Sequence, residues 1–140
     1  MGTSPAKLIV KLKGDAKTHQ GAREGIYNIG PNSVNYKPHW IHENGETAIW
    51  WYKDKSSWRI GRCVGLGKDK CGLLSFQETP AIVEHPQMHP QMHPQILPQM
   101  PYNATGWKYF NSNQWIKSDD IMVTVELVGK YFSYVNYLQN

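Results

Sequence analysis

Long apolar runs are missing from this chain, and cysteine is scarce. No stretch of ~18 apolar residues occurs, so no transmembrane helix is expected. The N-terminus also lacks the apolar centre of a signal peptide. A soluble chain that works inside the cell, with no membrane partner, is the expectation. Two cysteines in 140 residues exclude a disulfide-rich scaffold. Cys63 and Cys71 flank the segment CVGLGKDKC. That spacing suits a hairpin disulfide or a pair of reduced, part-buried thiols, and it fits no zinc pattern. Charge of one sign is scarce outside the N-terminus. The net charge of +4 resides in residues 1–23, where Lys7, Lys11, Lys13, Lys17 and Arg23 face Asp15 alone. From Glu24 onward acids and bases balance, which removes the steering field that specific nucleic-acid binding requires.

Groups for catalysis are equally few. Asp119-Asp120 is the one adjacent carboxylate pair, and neighbours on an extended chain point to opposite sides, so the two cannot share a proton or a metal. The stretch GLGKDKCG lacks the gap and the terminal Gly-Lys-Ser/Thr of a phosphate-binding loop. Cys63 has His39 and His42 available but sits in no nucleophile signature. A non-enzymatic protein with no cofactor and no metal is expected.

What the chain does have is large aromatic side chains: six Trp and eight Tyr. They carry large apolar areas and should dominate the core. Four of the tryptophans fall within Trp40–Gly61, WIHENGETAIWWYKDKSSWRIG. Asn44-Gly45 signals a two-residue hairpin of type I′, and Asp54-Lys55-Ser56-Ser57 signals a second turn. A three-stranded meander follows. Simple register sets Trp40 opposite Ile49 and Trp51 opposite Ile60, with Trp58 on the same face. His39, Trp50, Tyr52 and Arg59 then share the other face, Arg59 opposite Tyr52 and within cation–π reach. These four are the candidate ligand-binding residues. On this reading Trp50→Ala spares the fold and Trp51→Ala destabilises it.

Elsewhere KLIVKLK (7–13) reads as a strand whose lysines would guard an edge, and residues 14–24 read as a polar linker. GIYNI (25–29) is a short strand, and Pro38 argues for an edge or bulge ahead of Trp40. GWKYFNSNQW (106–115) is a further hairpin, with Trp107 and Trp115 packed on the first meander. IMVTVEL (121–127) alternates cleanly, and KYFSYVNYL (130–138) suits a strand or a short amphipathic helix. Residues 85–100 repeat a tetrapeptide as HPQM, HPQM, HPQI and LPQM. Proline at this interval forbids a helix and strips donors from a sheet, so 85–101 reads as an extended, mobile loop. Four residues overshoot a threefold polyproline turn, so His85, His89 and His93 diverge and make no fixed metal site. The His-Pro-Gln triplet resembles the short peptide that occupies the biotin pocket of streptavidin, which implies capture by streptavidin in vitro and says nothing of a physiological role.

The fold class that results is all-β: a small antiparallel β-sandwich or barrel-like meander with a long Pro-rich loop insertion. A basic N-terminal strand and linker (1–23) precedes a single β-rich domain (24–140). Gly25-Ile-Tyr27, Asn35-Tyr36-Lys-Pro38, Ile49-Trp50-Trp51, Trp58-Arg-Ile60-Gly61 and Gly106-Trp107 together resemble a small Gly/Trp-rich β-meander module. Such modules recur, often in tandem, in large multidomain eukaryotic proteins. That resemblance implies an interaction domain that binds a protein or peptide through an aromatic sheet face or a strand edge. Stacking of a glycan on Trp50 and Tyr52, as in a lectin, is the alternative.

Overall fold

Alternation of apolar and polar residues places nine antiparallel strands in one sheet. The computed structural model describes residues 4–76 and 100–126. The strands are β1 (Lys7–Leu12), β2 (Gly25–Ile29), β3 (Trp40–His42), β4 (Thr47–Tyr52), β5 (Ser57–Arg62), β6 (Leu73–Leu74), β7 (Lys108–Phe110), β8 (Trp115–Lys117) and β9 (Ile121–Val125). Their spatial order is β8-β7-β6-β5-β4-β3-β2-β1-β9. β8 and β9 thus stand at opposite ends of the order, yet only Ser118, Asp119 and Asp120 join them. So short a link spans about 14 Å at most, and the sheet has to curl until its ends meet. Ser118 N–H donates to Trp107 O, and Lys13 N–H donates to Asp120 O, each at 3.0 Å. The turn is thereby bonded to both ends of the sheet. The expected all-β, barrel-like meander is what forms, as one curled sheet and not as two stacked layers.

Residues alternating onto the concave face fill the curl. Leu8, Val10 and Leu12 from β1 meet Tyr27, Trp40, Ile49, Trp58, Ile60, Leu73, Tyr109, Ile121 and Val123, with Trp107 beside them. Trp58 sits between two other indoles, with ring centroids 6.1 Å from Trp40 and 5.3 Å from Trp51. The tilted and edge-on arrangements suit the aromatic quadrupole. The Trp40 indole N–H donates to Pro5 O at 2.9 Å, so the buried polar edge is satisfied.

Several sequence expectations are corrected here. Residues 14–23 are no linker: Gly14–Gln20 form a short helix, α1, followed by a single tight turn at Gly21–Arg23. α1 buries Ala16 in the core. The Tyr109 hydroxyl donates to the Asp15 carboxylate, and the Gln20 amide donates to Phe110 O at 2.8 Å. Both bonds tie α1 to β7. β1 is not an edge strand, since it pairs with β2 on one side and β9 on the other. The Asn44-Gly45 hairpin forms, but it is not the two-residue type. Four residues, Glu43–Glu46, separate β3 from β4. Only Gly45 takes a positive φ, of 77°. Asn44 acts through its side chain, whose Oδ1 accepts the Glu46 N–H at 2.8 Å. The turn with two successive positive φ lies instead at Asn35 (56°) and Tyr36 (71°), closing the Val34–Lys37 bridge. Trp40 does face Ile49. Trp51, however, faces Trp58, and Arg59 faces Trp50, because the β4–β5 turn occupies Lys53–Ser56. That slip of two positions keeps every side chain on its expected face. Pro38 precedes β3 and does not interrupt it.

Met100 packs against the core and Pro101 is buried, so these two residues, included in the 85–101 loop reading, belong to the packed fold. The repeat tract from 85 to 99, with the loop, histidine and streptavidin readings attached to it, lies outside the described residues. So does the strand-or-helix reading of 130–138.

Groups titrating at both ends of the scale make stability depend on pH: Glu24 on the acid side, and on the alkaline side Tyr109 together with Tyr27, Cys63 and Cys71, which burial also pushes up. Glu24 accepts the Leu12 N–H at 3.0 Å and pairs with Lys17 at 3.4 Å. The backbone bond, aided by Lys17 and Lys11 and opposed by desolvation, holds its carboxyl below the usual range. A depressed pKa stabilises the fold above the unfolded value and ceases to as pH falls through the folded one. Tyr109 behaves in the opposite sense. Its bond to Asp15, then burial, push it up to about 12, so its contribution is complete below ~10 and disappears as pH rises toward that value. Melting temperature measured against pH should therefore fall on both limbs. Glu24→Gln should flatten the acid limb alone and Tyr109→Phe the alkaline limb alone.

Candidate functional site

The convex face of the sheet is where sequence reasoning placed its ligand platform. Trp50, Tyr52 and Arg59 do come together there. Arg59 faces Trp50 across the β4–β5 ladder, and its guanidinium lies 4.9 Å from the Tyr52 ring centroid. The expected cation–π contact is present, made to a diagonal neighbour and not to a directly opposed one. Openness is what fails. Trp50 is 0% exposed, and Arg59 and His39 are buried as well; Tyr52 is half-buried.

The covering element is the segment between β5 and β6. The Trp50 indole N–H donates to Lys68 O at 2.9 Å. Arg59 Nη1 pairs with Asp69 Oδ1 at 2.5 Å, and its Nε donates to Ser57 Oγ at 2.9 Å. Two of the four candidates therefore spend their polar groups fixing the chain's own loop. A buried guanidinium is tolerable because Asp69 neutralises it while Ser57 takes another N–H. His39 packs its ring onto Gly30, where an added Cβ would stand 2.2 Å from Nε2. Sugar stacking on Trp50 has no surface to use. The two thiols near this loop are free. Burial pushes both Cys63 and Cys71 up, which disfavours the thiolate a nucleophile needs.

The open part of the convex face lies one strand further along. Register sets Trp50, Arg59, Leu74, Lys108 and Lys117 in one row across β4 to β8. Beside that row is a cleft of about 400 Å³, with Leu74 and Ser75 at its base and Lys55, Lys108, Phe76 and Trp115 around it. Phe76 is 56% exposed and Trp115 38%. Both are held in place. Phe76 N–H donates to Thr105 O at 2.8 Å, and its Cβ crowds Gly106, where an added Cβ would stand only 2.7 Å away. Gly106 has φ 65°, a second reason for glycine there. The Trp115 ring rests 5.3 Å from Phe110. Ser75 is spent internally, its Oγ accepting the Trp58 N–H at 2.8 Å.

Trp115 was expected on the inward face with Trp107. Only Trp107 is in the core. The Phe110–Trp115 and Tyr109–Ile116 pairs turn Trp115 outward, because its partner Phe110 neighbours the inward Tyr109. Counting back from a four-residue turn at Asn111–Gln114 would have shown this. Among the described residues no group of three or more His, Cys, Asp or Glu could hold a metal, and no helix is long and apolar enough to cross a membrane.

Comparison with protein-family models, with curated proteins and with solved structures gives no match for this chain. What stands of the resemblance drawn above is a small β-rich domain built around a tryptophan cluster.

These positions predict opposite outcomes for two indoles. Trp50→Ala should cost about 3–5 kcal/mol, as for other large-to-small changes at filled sites. Trp115→Ala should cost about 1 kcal/mol or less, as at a surface position. Urea unfolding followed by circular dichroism measures both. Equal losses would contradict this division of the face.

Proposed function

We propose that this chain is a non-enzymatic interaction module. It binds a protein or peptide at the Phe76–Trp115 end of its convex face. The observation that carries this reading is a pair of immobilised aromatic side chains left outward beside a cleft, while the neighbouring Trp50 is sealed under a loop. An exposed Trp on a rigid strand is the kind of side chain that anchors a protein contact. A small sheet gains nothing for its own stability by leaving such area in water.

The strand edge supports the same reading. Bonds run from Ser118 N–H to Trp107 O and from Asn111 N–H to Gln114 O. Antiparallel ladders alternate bonded and non-bonded pairs. Tyr109 and Ile116 therefore face one another, and Trp115 and Lys117 turn their backbone groups away from β7. β8 ends the sheet order among the described residues, so an extended peptide can add there with a side chain in the cleft.

Selection of a displayed random-peptide library on the immobilised domain tests this proposal. The expected result is a recurrent sequence pattern whose affinity drops about tenfold, or ~1.4 kcal/mol, with Trp115→Ala, while the melting temperature stays near that of the parent. Enrichment that is indifferent to Trp115→Ala and to Phe76→Ala would contradict it.

A further inference from the structure

The balance of charge along the sequence does not describe the balance at the cleft. Glu43 and Glu46 occupy the hairpin at the Thr47 end of β4, whereas Lys53, Asp54 and Lys55 occupy the turn at its Tyr52 end, two lysines to one acid. The row leading from Arg59 continues through Lys108 to Lys117. Lys55 and Lys108 border the cleft. The one acid there, Asp69, is bound to Arg59. Neither Lys55 nor Lys108 has an ion-pair partner among the described residues.

Lys108 and Lys117 are directly cross-strand partners. Like charges in that relation destabilise a sheet, since the Cβ atoms stand only ~5 Å apart. The domain thus sets two lysines on neighbouring positions beside exposed aromatic surface, an arrangement that an anion set between them would relieve.

Resting on the interaction reading above, we propose that the partner taken by this cleft is an acidic peptide segment, one apolar side chain flanked by carboxylates. The apolar group would lie on Leu74 between Phe76 and Trp115, and the carboxylates would meet Lys55, Lys108 and Lys117. Single-stranded nucleic acid could satisfy the same lysines. It needs successive aromatic faces open for stacking, whereas here Trp115 leans on Phe110 at an interplanar angle of 50°. A cleft of about 400 Å³ also suits one side chain better than a row of bases.

Fluorescence anisotropy with a dye-labelled peptide containing Glu-Glu-Leu-Glu-Glu tests this assignment, with the same peptide carrying Gln for every Glu and an oligouridylate of matching length as comparators. The Glu peptide should bind best and weaken as salt is raised. Lys55→Glu and Lys108→Glu should each reduce its affinity roughly 5–10-fold, and Lys108→Gln by less. Melting temperatures read alongside show that the variants remain folded. Equal binding of the Glu and Gln peptides, both lost with Trp115→Ala, would overturn the acidic assignment and leave the interaction reading standing. Tighter binding of oligouridylate with the same lysine dependence would assign the cleft to nucleic acid. No binding of the Glu peptide would overturn the acidic assignment whatever the library selects, and a library selection insensitive to Trp115 would remove the interaction reading as well.

Discussion

Ser118–Asp120 ties together the two ends of a nine-stranded sheet, and the rest of the structure follows from that tie. An open sheet of this many strands would leave one apolar face in water. With β8 and β9 forced to within one turn of each other, the face rolls inward. Every second residue of β1 becomes core, as do Tyr27, Trp40, Ile49, Trp58 and Ile60. The enclosed space is wide, and indoles fill it where a protein with narrower layers would use leucine and valine. α1 packs Ala16 into the same core and bonds to β7, which lies far from β1 in strand order, so the helix bridges parts of the sheet that only the curl brings near.

The convex face has two different fates along its length. Over β4 and β5 the segment Cys63–Cys71 covers it, held by the Trp50 indole and the Arg59–Asp69 pair. Those bonds satisfy groups whose burial would otherwise cost several kcal/mol. Over β6 to β8 that cover ends, and Phe76 and Trp115 stay outward beside Lys55 and Lys108, which have no ion-pair partner among the described residues. The loop covers only part of the outer surface, and the proposed recognition site lies where that cover ends. Along that row Trp50 is sealed and Trp115 is left outward.

Much of this was legible in the chain. Alternation located β9 and, less regularly, β1; turn signals bounded β4 and β5; and the Trp-bounded hairpin at 106–115 located β7 and β8. Face assignment survived a register slip of two because side chains repeat every two residues. What stayed hidden depends on contacts distant in sequence. Gly-Asp-Ala-Lys-Thr-His-Gln carries one apolar residue and no capping side chain, so nothing local marks α1; its stability comes from Tyr109 and Phe110, some ninety positions away. Asn44-Gly45 failed as a two-residue turn because the Asn44 side chain closes a four-residue loop in which only Gly45 takes a positive φ. The burial of Trp50 depends on a carbonyl in a lysine- and glycine-rich loop that looks solvent-bound by composition. A net-charge count could not reveal that Lys55 and Lys108 border one cleft whose lining holds a single acid, Asp69, already bound to Arg59.

Closure of the curl is the claim most open to direct measurement. Amide hydrogen exchange at Lys13 and Ser118, followed by NMR, reads the two bonds that join the Ser118–Asp120 turn to opposite ends of the sheet. Exchange as slow as that of the central β1 amides, which requires global unfolding, is the predicted result. Exchange at the rate of an exposed loop, while β1 remains protected, would mean that the ends are not joined and that the concave face has not become an interior.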